Sequence, residues 1–258
     1  MRNNNHGLSD LNFDFSGKTV VVTGASRGIG REIALAFARD GAKLILTARS
    51  AGALTPVARE IEALGSEADC IALDQRDVKT IRERIDALGP IDVLVNNAGV
   101  EEVRETLWVD EALWDKVVDT NLKGAFFVAQ AVAAKMAKGK GGSIINLASL
   151  TSYVGVPGAV PYGASKTGIL GITRALAAEW APLGIRVNAI APGYFETDMT
   201  SVFYEDKAWV EKMIANIPAG RLGELSDLTG AVEFLASSGA NYVCGQCIVI
   251  DGGYLAKI

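Results

Sequence analysis

The stretch Thr23-Gly24-Ala25-Ser26-Arg27-Gly28-Ile29-Gly30 decides the fold of this 258-residue chain. A short run of apolar and β-branched residues precedes it at 19–23. After it, apolar side chains recur on one helical stripe, formed by Ile29, Ile33, Ala36 and Phe37, until Gly41 ends the pattern. The pattern predicts a strand, a glycine-rich turn and a helix. In such a unit the free N–H groups and the helix dipole attract a phosphate group, which the glycines allow to approach the backbone.

The glycine spacing is G-x-x-x-G-x-G, which departs from the commoner G-x-G-x-x-G. An ordinary turn between a strand and a helix is the alternative interpretation. The position directly after the first strand favours dinucleotide binding.

Short apolar runs alternate with segments of helical period along the rest of the chain. Most runs are apolar on both faces, as in a parallel sheet that helices cover on each side. The seven strand candidates are 19–23, 43–47, 69–73, 92–95, 143–147, 186–191 and 247–250. This alternation predicts an α/β fold with a doubly wound, Rossmann-type sheet.

A single domain is expected at 16–258, because no linker, repeat or composition shift divides the chain. Residues 1–15 are expected to be a partly disordered lead-in. The segment 194–219 interrupts the alternation and is predicted to be a lid or binding loop. Two long helices are predicted at 111–138 and 162–181; their apolar positions, more than one face of a monomer needs, include Leu113, Val117, Phe127, Leu170 and Leu176.

Composition argues against several classes of protein. The net charge of −5 gives no footprint for nucleic acid. No apolar run reaches the roughly 18 residues of a membrane helix, and the first residues lack the apolar region of a secretory signal. We therefore expect a cytoplasmic protein that acts on small molecules.

The three cysteines raise the question of a redox or metal site. Cys244 and Cys247 form a C-x-x-C pair, which in other proteins belongs to thioredoxin-type or zinc sites. No second pair exists, Cys70 is distant, and the single histidine is His6. Reduced core thiols without a metal are the better interpretation.

The end of the second strand indicates which dinucleotide is bound. NAD sites carry an acidic residue there for the ribose 2′-hydroxyl. Here the strand is followed by Ala48-Arg49-Ser50, with no acid, and Arg49 can grip a 2′-phosphate. Arg27 supplies a second cation within the glycine-rich turn. Solvated surface charges are the alternative, but the position favours NADP over NAD.

Further motifs follow the later strands in a fixed order. Asn96-Asn97-Ala98-Gly99 follows the fourth strand, and Asn121 lies in Thr120-Asn121-Leu122. Ser149, Tyr162 and Lys166 follow the fifth, and Pro192-Gly193 the sixth. From about Ser16 to the C-terminus, this set resembles the short-chain dehydrogenase/reductase family. The resemblance implies a seven-stranded parallel sheet of order 3-2-1-4-5-6-7 and a homotetramer.

The resemblance also implies the site residues. The catalytic residues would be Asn121, Ser149, Tyr162 and Lys166, and no metal is expected. The cofactor would be bound by Tyr162 and Lys166 and by loop residues, namely Gly24, Ser26, Arg27, Gly28, Ile29, Gly30, Arg49, Asp74, Gln75, Asn97, Ala98, Gly99, Pro192, Phe195 and Thr197. Gln75 stands beside the adenine position, where the family more often has an aliphatic residue.

The chemistry of ketone reduction gives these residues their roles. The reaction needs a hydride on carbon and a proton on oxygen, and Tyr162 is the candidate proton donor. A tyrosine has a pKa of about 10, and we expect the charge of Lys166, one helical turn away, to lower it. Ser149 would hold the substrate oxygen. Asn121 would anchor a water that relays protons from Lys166 toward solvent.

Three functions remain open from the sequence. The segments 191–197 and 217–221 resemble sugar-acid dehydrogenases of the gluconate 5-dehydrogenase type, so a sugar acid, polyol or similar small hydroxy compound is the leading substrate. A 3-oxoacyl-carrier-protein reductase shares nearly all the motifs. A dinucleotide-sensing regulator is the third hypothesis, but such proteins generally lack the Tyr-x-x-x-Lys pair that Tyr162 and Lys166 form here.

Overall fold

The computed structural model describes residues 13–197 and 206–257. Seven strands form one parallel sheet of order β3-β2-β1-β4-β5-β6-β7, as predicted. Their bounds lie within one or two residues of the predicted ones. The strands are β1 Thr19–Thr23, β2 Lys43–Ala48, β3 Ala68–Ala72, β4 Val93–Asn96, β5 Gly142–Leu147, β6 Ile185–Pro192 and β7 Cys247–Ile250.

The central strands are buried on both faces, and most of their residues are apolar. Val20, Val21 and Val22 of β1 have no exposed surface. Successive side chains of a strand point to opposite faces. Val20 and Val22 therefore join the core on one side of the sheet, and Val21 joins the core on the other.

Helices cover both faces of the sheet, as predicted. In the described part of the chain they are α1 Gly28–Arg39, α2 Thr55–Ala63, α3 Val78–Asp86, α4 Glu111–Val118, α5 Ala125–Met136, α6 Val160–Trp180, α7 Lys207–Asn216 and α8 Thr229–Ala236. Helices α1, α2 and α8 share one core cluster. Helices α3, α5 and α6 share the other.

The first of the two predicted long helices contains an irregular turn. Its observed path runs through α4, then a π-helical turn at Asp119–Gly124, then α5. The second runs as α6 from Val160 to Trp180, with Pro161 in its first turn, where a missing N–H costs nothing. Single π turns inside helices often mark functional sites.

Some predicted features take a different form. Leu113, Val117, Leu170 and Leu176 are buried in the chain's own core, so they are not free to face another subunit. Exposed apolar side chains lie instead at Leu107 (85%), Trp108 (72%) and Trp114 (40%). Because α4 begins at Glu111, this exposed group precedes and enters that helix.

The lead-in and the predicted lid lie partly outside the described residues, and the cysteines are less buried than predicted. Residues 1–12 lie outside the described residues, whereas Phe15 is buried and packs edge-on against Phe37. Within the predicted lid, residues 198–205 are outside the described part, and α7 follows them. The three cysteines are free thiols but only half-buried; Cys70 lies on β3 and Cys247 on β7, which are the two edge strands of the sheet.

Candidate active site

The site lies at the carboxyl edge of the sheet, at the point between β1 and β4 where the strand order reverses. Loops that leave neighbouring strands toward opposite faces open a crevice at such a point. One cavity there is bordered by every residue that the sequence analysis assigned to cofactor binding, from Gly24 to Thr197. Ser149 borders the same cavity, whereas Asn121 does not.

The glycines of the first loop allow two close backbone approaches. A Cβ on Gly24 would lie 2.8 Å from Ala98 Cα, and the φ angle of Gly24 is +65°. A Cβ on Gly30 would lie 2.4 Å from both Asn97 Nδ2 and the Gly24 carbonyl oxygen. The loop after β1 thus packs directly on the loop after β4, and both positions require glycine.

Hydrogen bonds join the same two loops. Thr23 Oγ1 accepts from the backbone N–H groups of Asn97 and Ala98, each at 2.9 Å. The Asn97 side chain donates from Nδ2 to the Thr23 carbonyl at 2.8 Å. Thr23 and Asn97 therefore fix the floor of the crevice.

The region can hold a phosphorylated dinucleotide. Helix α1 begins at Gly28 with no acidic residue in its first turn and no side-chain cap among the described residues, so its N-terminus suits an anion. Arg27 and Arg49 border the cavity, and Arg49 is exposed at the end of β2. The glycine cradle and these cations fit a bound dinucleotide with a 2′-phosphate.

Arg76 is a third cation at this end of the cavity, and the sequence analysis missed it. Arg76 Nη2 donates to Asp74 Oδ2 at 2.8 Å, and this bond is the main reason why the pKa of Asp74 lies below its usual range. The Asp74 carboxylate, expected to contact adenine, is thus already paired. Its ion pair is half exposed, so it can open in favour of a ligand.

Gln75, expected only to lie beside the adenine, forms hydrogen bonds to two backbone segments. Its side chain is buried and donates from Nε2 to the Ala98 carbonyl at 3.0 Å and to the Thr120 carbonyl at 2.5 Å. Thr120 belongs to the π-helical turn. Gln75 Oε1 is buried and has no hydrogen-bond partner within residues 13–197 and 206–257. Gln75 therefore ties the loop after β4 to the π turn.

Lys166 lies on α6, deep beside the end of β5. Its side chain is buried, and Nζ donates to the Leu147 carbonyl at 2.6 Å. Nζ is 5.6 Å from the centre of the Tyr162 ring. Burial lowers the pKa of Lys166 to about 8, and the charge of Glu101 opposes that change.

Tyr162 borders the cavity one helical turn before Lys166, as predicted. The expected lowering of its pKa is wrong for this structure. Burial raises the pKa of the phenol, the charge of Glu101 raises it further, and a hydrogen bond with Ser149 lowers it in part. A neutral, protonated Tyr162 is the form that can donate a proton.

Two serines that the sequence analysis missed hold the candidate catalytic residues in place. Ser152 Oγ donates to the Lys166 carbonyl at 2.8 Å and accepts from the Ser149 N–H at 3.3 Å. Ser165 Oγ donates to the Tyr162 carbonyl at 2.7 Å and accepts from Asn121 Nδ2 at 3.2 Å. A serine in a loop or helix has no pattern that marks such a role.

Asn121 is fully buried in the π turn. Its Oδ1 accepts from the Val100 N–H at 2.8 Å, and its Nδ2 donates to the Val100 carbonyl at 2.8 Å. The side chain thus holds the loop after β4. The water relay expected of Asn121 stays a prediction.

Glu101 is an acidic group of the cavity that the sequence analysis did not identify. It follows Val100, borders the cavity and acts by its charge on both Tyr162 and Lys166. Burial raises its pKa, and the charge of Lys166 opposes that change. One acid after a motif carries no recognisable sequence signal.

Comparison with known proteins agrees with this geometry. A family model described as enoyl-(acyl carrier protein) reductase matches residues 24–255. The chain is 37% identical over 250 residues to gluconate 5-dehydrogenase of Gluconobacter oxydans (strain 621H), covering 95% of this chain and 98% of the relative. The chain belongs to the short-chain dehydrogenase/reductase family. It is an NAD(P)-dependent oxidoreductase that interconverts a secondary alcohol and a ketone by hydride transfer.

Other members of the short-chain dehydrogenase/reductase family are similarly close. A 3-oxoacyl-[acyl-carrier-protein] reductase of Staphylococcus epidermidis (strain ATCC 35984) is 42% identical over 92% of this chain and 98% of the relative. A crystal structure of gluconate 5-dehydrogenase from Burkholderia cenocepacia J2315, in complex with NADP and tartrate, superposes with a TM-score of 0.92. It is 35% identical and covers 96% of this chain and 98% of that one.

Two features are absent from the described residues. None of the helices in the described ranges is both long enough and apolar enough to span a membrane. Nor does the described part of the chain contain a group of three histidine, cysteine, aspartate or glutamate side chains able to hold a metal ion.

Proposed function

We propose that this protein interconverts the alcohol and ketone forms of a sugar acid, polyol or similar small hydroxy compound, with NADP preferred over NAD. The observation that carries the proposal is a single cavity bordered by Tyr162, Ser149 and Lys166 at one end and by Arg27 and Arg49 at the other. Relatives named for gluconate and its derivatives support the substrate class.

In the proposed reaction, the protein donates a proton to the substrate oxygen and then reprotonates its own donor. Tyr162 donates from its hydroxyl to the carbonyl oxygen, and Ser149 holds that oxygen beside it. The bound nicotinamide would supply the hydride. Lys166, with a pKa of about 8, can give up and regain a proton near neutral pH, which suits it to return a proton to Tyr162. Asn121, through Val100 and Ser165, keeps the loop after β4 in register with α6.

The cofactor preference rests on charge at the end of β2. Ala48 occupies the place where an acid would bond a 2′-hydroxyl, and Arg49 follows it beside the cavity. A planar guanidinium can bind a 2′-phosphate through two hydrogen bonds. The NADP named in the Burkholderia structure supports the same choice.

We also propose a homotetramer that works in the cytoplasm on small molecules, and not on nucleic acid or membranes. The exposed Leu107, Trp108 and Trp114 support association, since large apolar side chains gathered on a surface favour burial against another subunit. Three free cysteines suit a reducing compartment.

A substrate panel tests the proposal. Sugar acids, polyols and their ketones are compared with acetoacetyl thioesters, and the change in NADPH or NADH absorbance gives kcat/KM. We expect the highest kcat/KM for a polyhydroxy substrate with NADPH. The acyl-carrier-protein reductase is the second candidate, favoured by its 42% identical relative. Reduction of thioesters alone would establish that candidate and overturn the proposal.

A further inference from the structure

We propose that Glu101 is the specificity-determining residue of the site and binds the hydroxyl groups next to the reacting carbon of the substrate. This inference rests on the proposed function, because it concerns the same cavity and names the substrate feature that the cavity recognises. Its support comes from the position of Glu101, from its lack of a partner and from its neighbour Glu102.

The position of Glu101 is fixed by the catalytic machinery. Asn121 binds both polar groups of the Val100 backbone, so the residue that follows Val100 is held at the reacting end of the cavity. The charge of Glu101 raises the pKa of both Tyr162 and Lys166. Glu101 also borders the same cavity as Tyr162 and Lys166, where the substrate carbonyl is proposed to lie.

The carboxylate of Glu101 has no hydrogen-bond or ion-pair partner among residues 13–197 and 206–257. The charge of Lys166 acts on Glu101, but Lys166 Nζ donates its hydrogen bond to the Leu147 carbonyl. A partly buried carboxylate that lacks hydrogen bonds is unstable relative to one in water. A ligand that donates hydrogen bonds to it would therefore be bound more tightly.

The adjacent Glu102 shows the contrast. Its Oε1 accepts from Arg104 at 2.6 Å and its Oε2 accepts from Lys116 at 2.8 Å. Those cations lower the pKa of Glu102. Of two neighbouring carboxylates, one is satisfied by the protein and the other faces the cavity, which makes Glu102 a matched control.

The chemistry of a carboxylate then limits the substrate. It accepts hydrogen bonds from hydroxyl groups, and each such bond to a charged group is strong. The alkyl chain of a 3-oxoacyl thioester would leave it without a donor. A substrate carboxylate bonded directly to the reacting carbon would be repelled. Glu101 therefore selects polyhydroxy ketones whose own carboxylate, where present, is distant from the carbonyl.

The test compares a polyhydroxy ketone with analogues that each lack one of the two hydroxyl groups beside the carbonyl, for example 5-keto-D-gluconate with its 4-deoxy and 6-deoxy forms. Wild type is expected to prefer the hydroxylated ketone by about tenfold to a hundredfold in kcat/KM. Glu101→Gln should reduce that preference, measured as the ratio of kcat/KM for the hydroxylated ketone and the deoxy analogue, about tenfold or more. Glu102→Gln should keep the wild-type preference.

The outcomes separate the two proposals. If wild type reduces the polyhydroxy ketone and Glu101→Gln keeps the full preference, the role of Glu101 is overturned and the proposed function stands. If wild type reduces only the thioester, the proposed function itself fails. NADPH binding, followed by fluorescence, shows that each variant is folded. Should Glu101→Gln not bind NADPH, Glu101→Asp replaces it, with a smaller loss of preference expected and an unchanged preference counting against the proposal.

Discussion

Asn121 and Val100 are joined by two hydrogen bonds, because the side-chain amide of Asn121 pairs with both the N–H and the carbonyl of Val100 at 2.8 Å. A backbone segment held at both polar groups cannot rotate away from its partner. The π-helical turn that carries Asn121 is thereby coupled to the loop after β4. That loop leads directly to Glu101, so one side chain holds a loop that borders the cavity in register with the π turn.

The proposed role of Tyr162 as proton donor predicts the effect of removing its hydroxyl. Tyr162→Phe keeps the ring that borders the cavity, so NADPH should bind normally. Turnover should fall about 10²–10⁴-fold, the contribution of a general acid. Tyr242→Phe, at a fully exposed position, is the control and should match wild type. Turnover of Tyr162→Phe within tenfold of wild type would show that another group supplies the proton.

The cation at the end of β2 predicts the choice of cofactor. Wild type should prefer NADPH over NADH by about tenfold to a hundredfold in kcat/KM, since a charge-assisted bond contributes about 1.5–3 kcal/mol. Arg49→Ala should erase most of this preference. Adding Ala48→Asp should turn the enzyme toward NADH by repelling the 2′-phosphate. Arg59 is exposed on α2, so Arg59→Ala is a control that removes the same charge elsewhere. If the ratio of kcat/KM for NADPH and NADH is unchanged in Arg49→Ala, Arg49 is only a solvated surface charge.

The buried amide of Gln75 predicts a cost in stability. Gln75→Leu leaves the carbonyls of Ala98 and Thr120 without their donor, and an unsatisfied buried acceptor costs about 1–3 kcal/mol. Urea unfolding at fixed protein concentration should show a loss of that size. Gln130→Leu, exposed on α5, should change the free energy of unfolding by less than about 0.5 kcal/mol. Equal midpoints for the two variants would contradict the inferred tie between the loop and the π turn.

Glu233 predicts a dependence of stability on pH. Burial and the nearby Asp40 raise its pKa from 4.5 to about 7. The folded state holds this proton more tightly than the unfolded state does. The contribution of Glu233 to the free energy of unfolding is therefore most favourable below pH 4.5 and is lost as the pH rises toward 7. Glu233→Gln should therefore be more stable than wild type at pH 8, by about 1–3 kcal/mol, and closer to it at pH 5.

Urea unfolding of both proteins at the two pH values measures that difference. Glu179→Gln, at an exposed position on α6, serves as the control and should show the same difference from wild type at both values. A Glu233→Gln variant that gains no stability at alkaline pH would mean that Glu233 is charged in the folded protein without penalty.

The exposed apolar group before α4 predicts self-association. Light scattering should report a homotetramer at micromolar concentration. Leu107→Ser with Trp108→Ser should weaken it, because burial of these side chains would drive assembly. Tyr242→Ser, equally exposed but elsewhere, should leave the mass unchanged. A monomeric wild type would refute the tetramer.

The sequence predicted the sheet well because parallel strands are buried on both faces. The run Val20-Val21-Val22 is apolar on both faces, which favours a position in the middle of such a sheet, and all three side chains are buried there. The site was predictable as far as spacing carries it: Tyr162 and Lys166 lie one helical turn apart, and the glycine-rich loop follows β1. These relationships are local in the chain.

What the sequence left undetermined depends on distant contacts. The π turn at Asp119–Gly124 has no periodic signal, and it replaced the straight helix expected there. The pKa of Tyr162 rises because burial outweighs nearby charge, which spacing alone does not reveal. Glu101 and Ser152 acquire their roles from side chains brought together by the fold.

The position of β1 between β2 and β4 has a consequence during synthesis on the ribosome. Thr19 pairs with Lys43, but Val20 also pairs with Val93, which is made much later. Until β4 emerges, the growing chain presents one open edge of an apolar strand, a surface that invites pairing with other chains. Translation pauses between residues 48 and 93 would prolong that exposure.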